Sequence, residues 1–101
     1  MSVTYEQARE IVRAHFEPRW THGTFCLDDR TIVETDDFFA FEVGARELLA
    51  GGDRSYEIVG SLPVVYKADG RLGSLPSAAV ATDPGVRVWT NPNPVTFGPT
   101  G

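Results

Sequence analysis

The segment TIVETDDFFAFEV, residues 31–43, decides the fold that this sequence predicts. Its first part, Thr31–Thr35, is rich in β-branched residues, which favour strands. Its last part, Phe38–Val43, alternates so that odd- and even-numbered residues lie on opposite faces of a strand. Asp36-Asp37 lies between them, and aspartate tolerates turn geometry. We therefore predict an antiparallel hairpin that turns at Asp36-Asp37, in preference to one long bent strand.

Upstream of this hairpin, the sequence predicts a helix over residues 4–16. Thr4 and Gln7 have the spacing of a capping box, in which each side chain accepts a hydrogen bond from the backbone of the other residue. Apolar residues then recur on one helical face, as in a helix that packs on a core. Pro18 ends the helix, because the residue before a proline is disfavoured in the α conformation.

Between the helix and the hairpin, Thr24–Leu27 is a short strand candidate. Asp28-Asp29 follows, and we expect these two residues to separate this strand from the strand at Thr31–Thr35. Trp20 precedes this strand, and we expect it to close one end of the sheet.

Downstream of the hairpin, Ala45–Ala50 predicts a single helical turn, with a loop as the alternative, and Gly51-Gly52 ends it. Residues Gly60–Pro63 predict a bend, and Asp69-Gly70 predicts a second hairpin, because this dipeptide readily supplies positive φ. Three strand candidates flank these features: Tyr56–Val59, Val64–Lys67 and Leu72–Leu75.

The composition changes at Pro84, after which proline and glycine are frequent. We therefore predict one domain over residues 1–83 and a Pro/Gly-rich C-terminal segment over residues 84–101 that is extended or partly disordered. Within this segment only Val86–Thr90 has the pattern of a strand. The predicted fold is α+β, with the N-terminal helix packed on an antiparallel meander of about four to six strands.

The chain of 101 residues carries fourteen acidic and nine basic side chains, a net charge of −5. Such a surface repels phosphate backbones and anionic lipids, so we expect neither nucleic-acid nor membrane binding, and a basic protein partner is favoured. Met1–Glu10 is charged and has no apolar run, so we expect no secretory signal and a cytoplasmic location. A monomer and a homodimer both remain open.

The sequence predicts no metal site, cofactor site or catalytic residue. Cys26 is the only cysteine, and His15 and His22 are the only histidines, without the spacing of a zinc site. Gly51-Gly52 lacks the lysine and helix start of a phosphate-binding loop. Cys26 with a histidine would be a conceivable nucleophile, but in an apparent strand it is better interpreted as a small buried residue.

Five acidic residues lie within ten positions of the sequence. A solvated edge and turn is the ordinary interpretation of such a stretch, because water and salt give its carboxylates similar environments. If the stretch has a role, protein recognition is favoured, with acids forming a charged rim beside an aromatic anchor at Phe38. Trp89, in the proline-rich segment, is a second candidate anchor. The predicted partner-binding residues are Asp28, Asp29, Glu34, Asp36, Asp37, Phe38 and Trp89.

The order of these elements resembles a known family. The helix sequence YEQAREIV (5–12) precedes TIVE (31–34) and FFAFE (38–42), and GSLPVVYK (60–67) then leads into DGR (69–71). Over residues 4–75 this order resembles the YrhB-like proteins, the immunity protein 35 family of bacterial polymorphic toxin systems. Phe38 stands where that family usually has tryptophan, and the sequence after Leu75 departs from the family's typical ending.

The resemblance implies an N-terminal helix before a meandering antiparallel sheet. It also implies a non-enzymatic immunity protein that binds and neutralises a cognate bacterial toxin. A chaperone-like or accessory protein-binding function, linked to some members, is the alternative. A small enzyme that uses Cys26 or the carboxylates is a rival from a different class.

Overall fold

A computed structural model describes residues 2–21, 23–52 and 61–95 of the chain. The helices are α1 (Tyr5–Phe16), α2 (Arg46–Leu49) and α3 (Ser77–Ala81), and a short 3-10 helix spans Glu17–Arg19. The strands are β1 (Phe25–Glu34), β2 (Phe38–Ala45), β3 (Ser61–Tyr66), β4 (Leu72–Pro76) and β5 (Arg87–Thr90). The strand candidate Tyr56–Val59 and His22 lie outside the described residues.

The five strands form one antiparallel sheet in the order β4-β3-β2-β1-β5. Strands β1 to β4 are a meander, and the chain then crosses to the opposite edge, where β5 pairs with β1. The predicted α+β fold, with the N-terminal helix on an antiparallel sheet of four to six strands, is confirmed. No helix in the described part of the chain is both long and apolar enough to span a membrane.

Helix α1 begins at the predicted capping box. The Thr4 amide donates to Gln7 Oε1 at 2.9 Å, and the Gln7 amide donates to Thr4 Oγ1 at 3.1 Å. The Val3 amide also donates to the Lys67 carbonyl oxygen at 3.0 Å, which fixes the start of the helix to the end of β3. The buried side of α1, residues Tyr5, Ala8 and Val12, packs on the sheet.

Apolar side chains fill both faces of the sheet. On the first face, α1 covers a core formed by Tyr5, Ala8, Val12, Leu27, Ile32, Phe39, Phe41 and Val65. On the second face, α3 contributes to a smaller core formed by Phe38, Ala40, Val64 and Val80. Helix α3 was not predicted from the sequence, although Ala78, Ala79 and Ala81 favour helix.

The prediction that Asp28-Asp29 separates two strands is wrong, because β1 runs unbroken from Phe25 to Glu34. The strand instead contains a large bulge. Asp28 pairs with Glu42 and Val33 pairs with Ala40, so five steps along β1 match only two along β2. A bulge leaves extra residues outside the ladder and re-aims their side chains. Here it turns Asp29 into the protein interior, where it is completely buried.

The two predicted hairpin turns are confirmed. At the first, the Thr35 amide donates to the Phe38 carbonyl oxygen at 2.9 Å, and Thr35 Oγ1 accepts from the Asp37 amide at 3.1 Å. At the second, Gly70 has φ +75°, in the left-handed region that glycine adopts at no steric cost. The helical turn predicted after β2 is α2.

The bend predicted at Gly60–Pro63 is wrong for residues 61–63, which form the start of β3, while Gly60 lies outside the described residues. Pro63 has no amide hydrogen to donate, which usually keeps proline out of a central strand. The structure accommodates it because the β2–β3 ladder ends at the Ala40–Val64 pair, and Val64 is the residue that follows Pro63. The proline therefore interrupts no hydrogen bond of that ladder.

The chain after residue 83 continues into the sheet. Strand β5 pairs with β1 from Thr31↔Thr90 to Glu34↔Arg87. Beyond it, the Asn91 amide donates to the Arg30 carbonyl oxygen at 3.0 Å. The structure therefore places residues 84–95 within the domain predicted for residues 1–83 rather than after it.

Candidate functional site

The most exposed large apolar residues of the sheet lie on β5. Trp89 is 46% exposed and Val88 is 63% exposed. Trp89 pairs with Ile32, a core residue under α1, so its side chain lies on the same face as α1. Val88 pairs with Val33 and lies on the opposite face. Strand β5 therefore presents one apolar side chain to solvent on each face of the sheet.

Glu34 lies at the centre of a charged cluster beside Trp89. Its Oε1 accepts a hydrogen bond from Lys67 Nζ at 2.7 Å, and its Oε2 accepts one from Trp89 Nε1 at 2.7 Å. The Arg87 guanidinium lies 3.6 Å from Oε1. Burial raises the pKa of Glu34, but the hydrogen bonds from Lys67 and Trp89 and the positive charges of Lys67 and Arg87 together outweigh it, so the pKa lies below its usual value. Glu34 thus joins the ends of β1, β3 and β5 as an ionised carboxylate.

Asp36 extends this cluster to the solvent. Arg87 Nη1 donates to Asp36 Oδ1 at 3.1 Å, and the Asp36 side chain is 92% exposed. Asp37 is also exposed, at the tip of the same turn. We call the group Glu34, Asp36, Arg87 and Trp89 the edge patch. It combines an aromatic side chain with both signs of charge at one edge of the sheet.

Asp29, also assigned to the partner-binding surface by the sequence, lies elsewhere. Its Oδ2 accepts a hydrogen bond from the Val95 amide at 2.7 Å and lies 3.4 Å from Arg9 Nη1. Its carbonyl oxygen accepts a hydrogen bond from Asn91 Nδ2 at 2.7 Å. Because it is fully buried, Asp29 binds groups of its own chain and is not available to a partner in this conformation.

A cavity of about 250 Å³ lies between α1 and residues 91–95. Tyr5, Arg9 and Trp89 line it. Burial, followed by the charge of Asp29, raises the pKa of Tyr5 to about 12, so this phenol is neutral at physiological pH. The lining also includes Val95, so it contains two residues that bind Asp29 and one residue of the edge patch.

Asp28 and Phe38 complete the predicted set, and neither joins the edge patch. Asp28 Oδ2 pairs with Arg30 Nη2 at 2.8 Å. The hydrogen bond from the Arg30 side chain lowers the pKa of Asp28 more than burial raises it. Phe38 is only 6% exposed and packs edge-on against Tyr66 in the second core, with ring centroids 6.1 Å apart. The ring of Phe38, predicted as an aromatic anchor for a partner, is therefore covered by its own chain in this conformation.

Cys26 is a buried residue of β1, as predicted. Burial raises the pKa of its thiol, which reduces the fraction of reactive thiolate at neutral pH. Trp20 packs edge-on against Phe25, the first residue of β1, with ring centroids 5.5 Å apart. Among the described residues, no three or more His, Cys, Asp and Glu side chains are grouped so that they could hold a metal ion.

Three residues that organise these sites, Lys67, Arg87 and Asn91, were not predicted from the sequence. Arg87 and Lys67 neutralise Glu34, and Asn91 binds the backbone of Asp29. A basic residue within β5 and a lysine just after β3 were visible in the sequence. The acidic residues that they bind could not be recognised in the same way, because Lys67 lies 33 positions from Glu34 and Asn91 lies 62 positions from Asp29.

Comparisons of this chain with protein-family models, with curated proteins and with solved structures found no match.

Proposed function

We propose that this protein is an immunity protein, which binds a toxin made by the same or a related bacterium and neutralises it without catalysing a reaction. The observation that carries this proposal is the edge patch, where half-exposed Trp89 lies among ionised side chains at the end of the sheet. Tryptophan and arginine are enriched at the centres of protein interfaces, and carboxylates at their rims direct the approach of a partner.

The charge of the surface favours a basic partner. Asp36 and Asp37 are exposed at the turn beside Trp89, and the whole chain carries a net charge of −5. Exposed charges of this kind increase the association rate with an oppositely charged protein, and salt reduces the effect. The partner that suits this surface is therefore a toxin with a basic patch.

The family resemblance of residues 4–75 is the second support. It implies a helix followed by an antiparallel meander, and α1 followed by β1 to β4 has that arrangement. Since a fold hosts many functions, the arrangement alone does not assign one, and the proposal depends on the edge patch.

The test is co-expression with the toxin encoded by the neighbouring gene, followed by measurement of growth and of binding. We expect the wild-type protein to protect the cells and to bind the toxin. Absence of both binding and protection would reject the proposed function.

Charge-reversal variants locate the binding surface. Asp37→Lys should weaken binding about tenfold, which corresponds to about 1.4 kcal/mol, and the loss should shrink at high salt. Glu10→Lys makes the same charge change on the exposed side of α1 and is the matched control. Equal effects of the two variants would show that binding responds to net charge and not to this surface.

A chaperone-like or accessory function is the second candidate. Val88, Trp89 and Val95 are large apolar side chains exposed on one segment of the chain, as expected of a surface that holds unfolded clients. Such a protein should suppress aggregation of unrelated denatured proteins at near-stoichiometric ratios. An immunity protein should have no such effect, so a light-scattering assay with two unrelated clients separates the candidates.

A further inference from the structure

The outer edge of β5 has backbone groups that face away from the sheet. The Asn91 amide donates to the Arg30 carbonyl oxygen of β1, at 3.0 Å. Because successive residues of a strand direct their N–H and C=O groups to alternate sides, Trp89 also faces β1. The N–H and C=O groups of Val88 and Thr90 therefore face outward. Within residues 2–21, 23–52 and 61–95, no strand pairs with this edge.

The side chains of β5 offer little protection against pairing. Edge strands usually avoid association by carrying lysine, proline, bulges or inward-pointing charges. Strand β5 reads Arg-Val-Trp-Thr, and three of these four residues favour strands. Its one charged side chain, Arg87, is already bound to Asp36 and Glu34.

This edge is complementary to itself. If two copies of β5 run antiparallel with Trp89 opposite the partner's Trp89, then Val88 lies opposite the partner's Thr90. In this register the N–H and C=O groups of Val88 form two hydrogen bonds with the C=O and N–H groups of the partner's Thr90. Thr90 and the partner's Val88 form the same two bonds by symmetry. The register therefore gives a hydrogen-bond partner to all four outward backbone groups of each copy. It also places the two tryptophans side by side, one on each side of a two-fold axis.

We propose that β5 pairs with β5 of a second copy of this chain in that register. The product is a symmetric dimer with a continuous ten-stranded sheet, twice the five strands of one copy. The two tryptophan side chains lie on the α1 face, and the β-branched side chains of Val88 and the partner's Thr90 pair on the opposite face. This inference does not rest on the proposed function, although the dimer and the toxin-binding proposal both use Trp89.

The register also keeps like charges apart. Arg87 lies opposite the partner's Asn91, four residues from the partner's Arg87. At 3.4 Å per residue the two guanidinium-bearing residues are roughly 14 Å apart along the strands. That separation exceeds the screening length of about 8 Å at physiological salt, so their repulsion is small.

The length of β5 limits the strength of the dimer. A four-residue edge covers less surface than the roughly 800 Å² per partner of a standard interface. We therefore expect a reversible dimer that forms at micromolar or higher concentrations and exchanges with monomer.

Disulfide trapping tests the register. In a pair without direct hydrogen bonds, the Cα atoms of residue 89 in the two copies lie about 4.5 Å apart, within disulfide range. Val88 and the partner's Val88 are two residues out of register and too far apart. Under mild oxidation, Trp89→Cys should give at least about tenfold more covalent dimer than Val88→Cys, although Val88 is the more exposed residue.

Equal yields from the two variants would overturn the proposed register, because collisions alone would explain them. Absence of covalent dimer from Trp89→Cys would overturn the pairing itself. The wild-type protein is the background control, since its single cysteine, Cys26, is buried.

Sedimentation of the unmodified protein provides a measurement that needs no cysteine variant. We expect the weight-average mass to rise toward that of a dimer as concentration increases. Val88→Pro should prevent this rise, because it removes an outward N–H group without removing a hydrogen bond to β1. Its thermal midpoint reports whether it folds, and Thr90→Pro serves if it does not. A wild-type monomer at all concentrations, an assembly larger than a dimer, or a folded proline variant that still dimerises would each contradict the proposal.

Discussion

Asp29 and Asp36 belong to one acidic stretch of the sequence and occupy opposite environments in the structure. Asp29 is fully buried and binds Arg9 and the Val95 amide, whereas the Asp36 side chain is 92% exposed and binds only Arg87 among the contacts that the structure describes. Charge and residue type are identical at the two positions. Their different roles therefore come from what the chain places around them.

The local backbone explains the difference. Asp36 lies in a two-residue hairpin turn, where side chains point into solvent. Asp29 lies in the bulge of β1, which directs it under α1 and residues 91–95. The acidic stretch thus combines a structural region around Asp29 with a surface region, the edge patch. The following predictions test this division, from the largest expected effect to the smallest.

Truncation after Asp83 should have the largest effect. It removes β5 together with the Asn91 and Val95 groups that bind Asp29. We expect a loss of more than about 5 kcal/mol, which lowers the thermal midpoint by at least about 20 °C, since each kcal/mol of stability shifts the midpoint of a domain this size by roughly 4–8 °C. Circular dichroism during heating measures this change. A midpoint near that of the full chain would show that residues 84–95 add little to stability.

Asp29→Ala should reduce the free energy of unfolding by about 3–5 kcal/mol, because it leaves Arg9 and the Val95 amide without their buried carboxylate. Urea denaturation provides the measurement. Asp29→Asn keeps the shape of the side chain but removes its charge, so it should reduce the free energy of unfolding less than Asp29→Ala does. If Asp29→Ala were as stable as the wild type, the assignment of Asp29 to the structural region would be wrong.

Glu34→Gln should reduce stability at pH 7 by about 1–2 kcal/mol, because Lys67 and Arg87 lose their ionised partner. The pKa of Glu34 is lowered in the folded state, so its contribution is present above the ordinary pKa of 4.5 and is lost as the pH falls through the folded value. The difference between wild type and variant should therefore shrink on acidification below pH 4.5. Denaturation curves at pH 7 and at about pH 3 test this, and a difference independent of pH would contradict it.

Asp36→Ala should have the smallest effect, within about 0.5 kcal/mol, because exposed ion pairs contribute little to stability. This variant is also the matched control for Asp29→Ala, since it removes the same side chain from the same acidic stretch. The measurement is again urea denaturation at pH 7. A loss comparable with that of Asp29→Ala would show that the two regions are not distinct.

Local signals predicted most of the fold. The capping box at Thr4 and Gln7, the turn at Asp36-Asp37 and the Asp69-Gly70 hairpin each depend on residues within a few positions of one another. Such patterns can be recognised in a sequence, because the hydrogen bonds that satisfy them connect near neighbours. The alternation of Phe38–Val43 likewise fixed which residues share a face of β2.

Distant contacts decided the rest of the candidate site. Asp29 looked like a turn residue because its partners Arg9, Asn91 and Val95 lie 20, 62 and 66 positions away. Phe38 looked like an exposed anchor because the second core that buries it includes Val80, a residue of the unpredicted helix α3. Three of the predicted partner-binding residues, Glu34, Asp36 and Trp89, lie together in the edge patch only because β5 pairs with the end of β1.

The sequence by itself determined the helix, the hairpins and the α+β class, since these follow from periodicity and from hydrogen bonds between neighbouring residues. It also determined the net charge of −5 that favours a basic partner. Only the tertiary structure decided that β5 pairs with β1 and that the backbone groups of Val88 and Thr90 face away from β1. Strand order and burial depend on contacts between segments far apart in the chain, and no local pattern specifies which segments meet.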